Sequence, residues 1–178
     1  MTALLPWSGI FEEVRYFRRA AAHDERGSFR RAYSVAEYEK LGIGDTFVED
    51  NVSTSHKNVL RGLHFDMRLA KFVQVLQGDV FDVVVDVRRE SSTFGRWAAF
   101  SISAEGCEQL YVPRGFAHGF YVQSDVAIVS YKQTDVYDPR HEGQVRYDDP
   151  AIGIVWPFSG KPILSQKDAG APLLDQAV

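Results

Sequence analysis

The chain has 178 residues, 45% hydrophobic and 25% charged, the length and composition of one globular domain with a sizeable core. Twenty Lys and Arg against 24 Asp and Glu give a net charge of -4, so no basic surplus exists to drive unspecific binding to nucleic acid or anionic lipid. The single cysteine, Cys107, excludes an intrachain disulfide and suits a reducing cytoplasm. No apolar run approaches the ~20 residues that cross a bilayer, and the opening stretch MTALLPWSGIFEE lacks a basic start and reaches Glu12 and Glu13 too early for a secretory signal.

In chain order, the first convincing element is a helix. Ser34 is placed to cap it, Glu37 completes a capping box, and Gly42 stops it. Short segments rich in Val, Ile, Phe and Tyr follow at 46–48, 59–65, 72–76, 80–87, 97–102, 109–112 and 126–132, and these read as strands. Gly78-Asp79 separates two of them in a way that suits a hairpin, while Pro113-Arg114-Gly115 and Asp138-Pro139 punctuate later ones. In VFDVVVDV, Val80, Val83 and Val85 fall among Asp82 and Asp86 on imperfect alternation, which predicts a strand with one wet face. Closely spaced strands without intervening helices predict an all-β fold, an antiparallel barrel or double-sheet jelly roll. No repeat, low-complexity stretch or linker divides the chain, so residues 1–178 read as a single domain.

Two stretches carry polar residues where a core strand would prefer apolar ones. Arg61-Gly62-Leu63-His64 ends a strand, and Pro113 to Phe120 forms a turn with two glycines that presents His118 between aromatics. Each fits a site or, equally, a surface arginine and a tight barrel corner. A metal centre is not expected: the five histidines, His23, His56, His64, His118 and His141, form no HxH pair, and no glutamate closely follows His64 or His118 to complete a ligand set. There is no G-x-S-x-G elbow, G-x-G-x-x-G loop or Walker A loop. Cys107 lies between Gly106 and Glu108, a setting that does not activate a thiol.

The succession DERG (24–27), FVEDN (47–51), NVLRGLHF (58–65), GDVFDVVVDVRRESSTFGRW (78–97), LYVPRGFAHGF (110–120), DDPAIGIVWP (148–157) and PILSQKDAGAPLLDQA (162–177) resembles the dTDP-4-dehydrorhamnose 3,5-epimerases. The resemblance runs in order from about residue 20 to the C-terminus, and several blocks are long enough to be highly specific. It implies a cupin-type jelly roll, a homodimer whose N-terminal segment crosses to the partner, and no metal or organic cofactor. It also implies inversion at C3 and C5 of a nucleotide-linked 4-keto-6-deoxyhexose. Both carbons are α to the C4 ketone, so the reaction needs a base, an acid on the opposite face and a cation for the enolate.

Residue by residue, the resemblance makes His64 the general base and Asp168 the carboxylate that holds it. Lys71 becomes the cation beside the enolate and Tyr137 the opposing acid. His118 and Tyr131 line the sugar pocket, Arg26 and Arg61 hold the diphosphate, and Phe29, from the crossing segment, sandwiches the base against Tyr137. Arg31, Glu49 and Asn51 fall where the family meets the substrate, Arg31 and Glu49 facing the nucleoside. Arg31 stands in place of a glutamate and Glu49 in place of a glutamine; Ser28 and Val52 also depart from the pattern. Glu49 can only accept hydrogen bonds, which raises GDP or CDP as alternatives to dTDP. Only residues 65–70 separate His64 from Lys71, a shorter loop than the family usually carries. That loop gives weight to an enzyme inverting only C3 or only C5, and a non-catalytic sugar-nucleotide-binding cupin is the alternative of another class.

Overall fold

The computed structural model describes residues 3–4, 9–158 and 160–178. Part of the opening stretch MTALLPWSGIFEE therefore lies outside the described residues. The chain runs through β1 (Ala3–Leu4), β2 (Arg15–Arg18), β3 (Ala22–Asp24), β4 (Gly27–Phe29), helix α1 (Val35–Glu39), β5 (Glu49–His56), β6 (Leu60–Phe65), β7 (Lys71–Gln77) and β8 (Asp79–Asp86). It continues through β9 (Trp97–Ser103), β10 (Glu108–Val112), β11 (Phe116–Val122), β12 (Val126–Gln133), β13 (Gly143–Gln144) and two short helices, α2 (Gln166–Ala169) and α3 (Leu174–Ala177). One sheet has the order β1-β2-β10-β7-β12-β5 and the other β13-β6-β11-β8-β9; β3 and β4 form a separate two-stranded ribbon. Every strand pairing is antiparallel. This is the expected double-sheet jelly roll. No helix of the described residues is long and apolar enough to cross a membrane.

The period of two along each strand fills the space between the sheets. Val73 and Val75 of β7, Val80 and Val84 of β8, Leu110 and Val112 of β10, Phe116 and Phe120 of β11, and Ala127 and Val129 of β12 meet Phe11 and Val14 in one buried cluster. Val83 and Val85 point to the opposite face of β8, where Leu63, Val145, Ile152 and Leu174 cover them. Strand β8 is thus buried on both sides, which corrects the expectation of a wet face. Asp82 and Asp86 have no exposed surface, and their side chains are held by His118 and Arg88. Their polarity marks internal partners, which a pattern of alternation cannot distinguish from solvent.

Several other expectations change. Gly78 makes no hairpin, because β7 pairs with β10 and β12 while β8 pairs with β9 and β11. With φ of 75°, Gly78 instead turns the chain from one sheet into the other, and a Cβ there would lie 2.2 Å from the Val126 carbonyl oxygen. Residues 116–120 are not a corner but the start of the fully buried β11, which leaves only 113–115 as the turn. The strand expected at 46–48 begins at Glu49 instead. Its sequence EDNVSTSH is polar because β5 is an edge strand. Helix α1 forms where expected and ends before Gly42 (φ 79°), but Ser34 makes no side-chain cap. The Glu37 carboxylate is drawn to Arg19 and Arg31, so the capping box is absent.

Candidate active site

Towards one end of the barrel the inward-facing positions turn from apolar to polar. Along β12 the series Ala127, Val129 continues as Tyr131 and Gln133; along β7, Val75 and Val73 give way to Lys71. On β5 the register sets Ser53, Asn51 and Glu49 opposite Val129, Tyr131 and Gln133. These residues wall a cleft of about 660 Å³, closed on the other side by Arg61, His64, His118, Tyr137, Glu142, Lys167 and Asp168.

Arg61 and His64 are three apart and would face opposite sides of a regular strand. The β6–β11 register slips between His118↔His64 and Phe120↔Arg61, so both reach the cleft. The slip needs two glycines in contact: Gly62 has φ of 133°, and a Cβ on it would lie 2.6 Å from the Cα of Gly119.

His64 Nε2 lies 2.5 Å from Asp168 Oδ1. Asp168 is presented by α2, whose N-cap Ser165 accepts the Asp168 backbone N–H at 3.0 Å. Burial by itself would raise the Asp168 carboxyl, but the hydrogen bond and charge of His64 hold it below the usual carboxylate range. An ionised Asp168 accepts a hydrogen bond from the Nε2–H, the tautomer that leaves Nδ1 free to act as a base. That atom is 4.0 Å from Glu142 Oε1. Glu142 is likewise lowered against its burial, by Lys167, His64 and Tyr137; it receives the Tyr137 hydroxyl at 3.1 Å and a close contact from the Lys167 ammonium.

A second histidine–carboxylate pair forms the floor. His118 Nε2 sits 2.9 Å from Oδ2 of the buried Asp82, whose carboxyl is pushed up by burial against the pull of His118 and Lys71. Burial lowers Lys71, although Glu142, Asp82 and Asp66 partly offset this. Arg61 is steadied by Ser55 Oγ at 2.9 Å from its Nε. Both Tyr131 and Tyr137 are raised, first by burial and then by neighbouring carboxylates, with Arg61 opposing this for Tyr131. Among the described residues no three His, Cys, Asp or Glu side chains gather as a metal ligand set.

Residues 10–176 match the family model for dTDP-4-dehydrorhamnose 3,5-epimerase. The chain belongs to this family. It is 53% identical to the dTDP-4-dehydrorhamnose 3,5-epimerase of Salmonella typhimurium over 159 residues, 87% of each chain. A crystal structure of dTDP-6-deoxy-D-glucose-3,5-epimerase from Legionella pneumophila, in complex with dTDP-4-keto-L-rhamnose, superposes with a TM-score of 0.93 at 43% identity, covering 98% of this chain and 94% of the other. A 3'-monoepimerase from Streptomyces bikiniensis, in complex with dTDP-quinovose, superposes with a TM-score of 0.86 at 32% identity, covering 91% and 84%. As a member of this epimerase family the protein is an isomerase.

Of the site residues expected from the sequence, the epimerase fold gathers His64, Asp168, Tyr137, Lys71, Glu49, Asn51, Arg61, His118 and Tyr131 in one cleft. Arg26, Phe29 and Arg31 do not line the cleft of their own chain. Arg26 pairs with Asp24 and Arg31 with Glu37, while the Phe29 ring lies 78% exposed. Sequence reasoning missed Ser53, Gln133, Glu142, Ser165 and Lys167. Ser53 continues the alternation of Glu49 and Asn51, and Ser165 and Lys167 lie inside the LSQKD block, so those three carried a signal. Glu142 carried none: it reaches His64 only because β13 pairs Gly143 and Gln144 with Phe65 and His64.

Proposed function

We propose that this cleft epimerises a dTDP-linked 4-keto-6-deoxyhexose, converting dTDP-4-keto-6-deoxyglucose to dTDP-4-keto-L-rhamnose. The observation that carries the reading is the His64–Asp168 pair facing a cleft that also holds a half-buried lysine and two tyrosine side chains. His64 Nδ1 takes the proton from C3 or C5, and the C–H electron pair moves into the C4 carbonyl to give an enolate. The Lys71 ammonium stabilises the enolate oxygen, where a compact charge in a low-dielectric wall acts strongly. Asp168 stabilises the imidazolium formed at His64. A tyrosine then delivers a proton to the opposite face of the carbon and the ketone is restored; His64 releases the abstracted proton to solvent and the tyrosine regains one from it. Arg61 meets the diphosphate.

The resemblance gives the acid role to Tyr137. A specific observation favours Tyr131 as a second reading. Tyr137 lies on a segment between strands and its proton is aimed at Glu142, whereas Tyr131 is fixed within β12 and its hydroxyl has no protein partner among the described residues. Deuterium entry at C3 and C5 of dTDP-4-keto-6-deoxyglucose, followed by NMR in D₂O with the product trapped by a reductase, tests both levels. Exchange at both carbons with an L-sugar product supports the 3,5-epimerase; exchange at one carbon leaves a monoepimerase. In the acid's Phe variant, exchange persists while inversion fails.

The β3–β4 ribbon is exposed along all six residues and pairs with neither main sheet. This supports a homodimer in which the ribbon brings Arg26, Phe29 and Arg31 to the partner's cleft. Residues 1–178 act as one domain, in the cytoplasm where nucleotide sugars are made.

A further inference from the structure

A carboxylate on the wall of a cleft that takes a diphosphate repels its ligand, so its presence there calls for a role other than holding that ligand. Glu49 is such a group, and both of its oxygens have donors. Oε1 accepts from Asn51 Nδ2 at 2.7 Å, and Oε2 accepts the backbone N–H of Tyr137 at 3.0 Å. A glutamine has one carbonyl oxygen and would set its NH₂ group against one of those donors. Only a carboxylate of this length serves both.

Tyr137 belongs to the segment 134–142 that joins β12 to β13. The start of the segment is pinned: Thr134 donates its N–H to the Ala70 carbonyl at 3.2 Å, and its hydroxyl oxygen accepts from the Ala70 N–H at 2.9 Å. The end is pinned by the pairing of β13 with β6. Between the pins Val136 and Tyr137 are exposed, at 61% and 45%. The bond from Tyr137 N–H to Glu49 ties this stretch to the barrel wall.

We infer that Glu49 is a positioning residue that latches Tyr137 over the cleft and takes no part in reading the nucleotide. The inference rests on the proposal that Tyr137 serves a bound nucleotide sugar, but the latch can be measured without substrate. In protein labelled with ¹⁵N-tyrosine, the Tyr137 amide is assigned by its loss in Tyr137→Phe and its hydrogen exchange is followed by NMR. In Glu49→Gln that amide exchanges roughly tenfold faster or more, the range expected for losing a charge-assisted hydrogen bond, while the other tyrosine amides keep their rates and report an intact fold. With substrate, Glu49→Gln lowers kcat/KM through the same parameter, kcat or KM, as Tyr137→Phe, with the preference for dTDP over GDP and CDP unchanged. In a Tyr137→Ala background it adds nothing further. Unchanged exchange at the Tyr137 amide overturns the latch, and a switch in nucleotide preference restores Glu49 as a reader of the base. If the protein turns over no nucleotide sugar at all, the amide still decides the latch, so the two failures are separable.

Discussion

Replacing Asp168 with Asn removes a charge while keeping a shape. The Asn carbonyl can still accept a hydrogen bond from the His64 Nε2–H, so the tautomer that leaves Nδ1 free survives, as does the backbone bond to Ser165. What is lost is the attraction between the carboxylate and the imidazolium formed when the substrate proton is taken. Opposite charges ~4 Å apart attract by about 4 kcal/mol at the effective dielectric of about 20 that suits protein sites. The His64 side chain is 26% exposed and that of Asp168 6%, so partial screening reduces this to about 2–3 kcal/mol. Deuterium entry at C3 and C5 should therefore slow by about 30- to 150-fold at saturating substrate. The binding of dTDP, measured by calorimetry, should change little, because Asp168 lies behind the base. A variant that exchanges deuterium within about threefold of the wild-type rate would refute the assignment of Asp168 as the stabiliser of charge on His64.

Asp86 is buried, yet its donors Arg88, Ser91 and Thr93 bring its pKa to about 2. A folded value below the unfolded one stabilises the fold above about pH 4 and is lost as pH falls through 2, so Asp86→Asn should cost about 2 kcal/mol in urea melts at pH 7 and almost nothing near pH 2. Gly62→Ala forces a Cβ to within 2.6 Å of the Gly119 Cα at a φ of 133°; calorimetry should show a loss of roughly 6–12 °C in Tm, corresponding to about 3 kcal/mol. A shift under about 2 °C would mean that β6 and β11 can separate there freely. Burial disfavours the charged form of Lys71, so Lys71→Met should raise Tm by about 2–4 °C. The same substitution should lower turnover by at least about 100-fold, the usual cost of losing a charge stabiliser; a stable variant that kept its turnover would remove Lys71 from the mechanism.

The parts of the fold legible in the sequence are those where local pattern and tertiary environment agree. The Val-rich β8 and the runs at β7, β9 and β12 announce themselves because apolar β-branched and aromatic residues fit a packed pleat. The edge strand β5 does not: one of its faces lines the cleft and the other is exposed, so neither needs apolar side chains. The reading of β11 failed at its glycine, because Gly119 looks like a turn residue until Gly62 is placed against it. Asp82 and Asp86 show the same limit, since an aspartate facing water and one facing a buried partner are identical in a string of letters. In the site, His64 and Asp168 are separated by 104 positions, a pairing no spacing rule reaches, and only the ordered blocks of the family resemblance joined them. Glu142 lay outside every block and remained invisible until β13 was paired.

The change of sheet at Gly78 bears on how the molecule is made. From β5 to β12, all successive strands except the β8–β9 hairpin are dealt to opposite sheets, so β5 waits for β12, β6 for β11, and β7 for both β10 and β12. On a ribosome, the first half of the chain would emerge with its hydrogen-bonding edges open and its apolar faces uncovered. The six-stranded sheet cannot close before residue 133 has been added, and β6 stays unpaired until β11 is complete at residue 122. Such an order makes folding slow and nearly all-or-none, and exposes the nascent chain to aggregation. A truncated product ending before β12 should accordingly be insoluble rather than partly active.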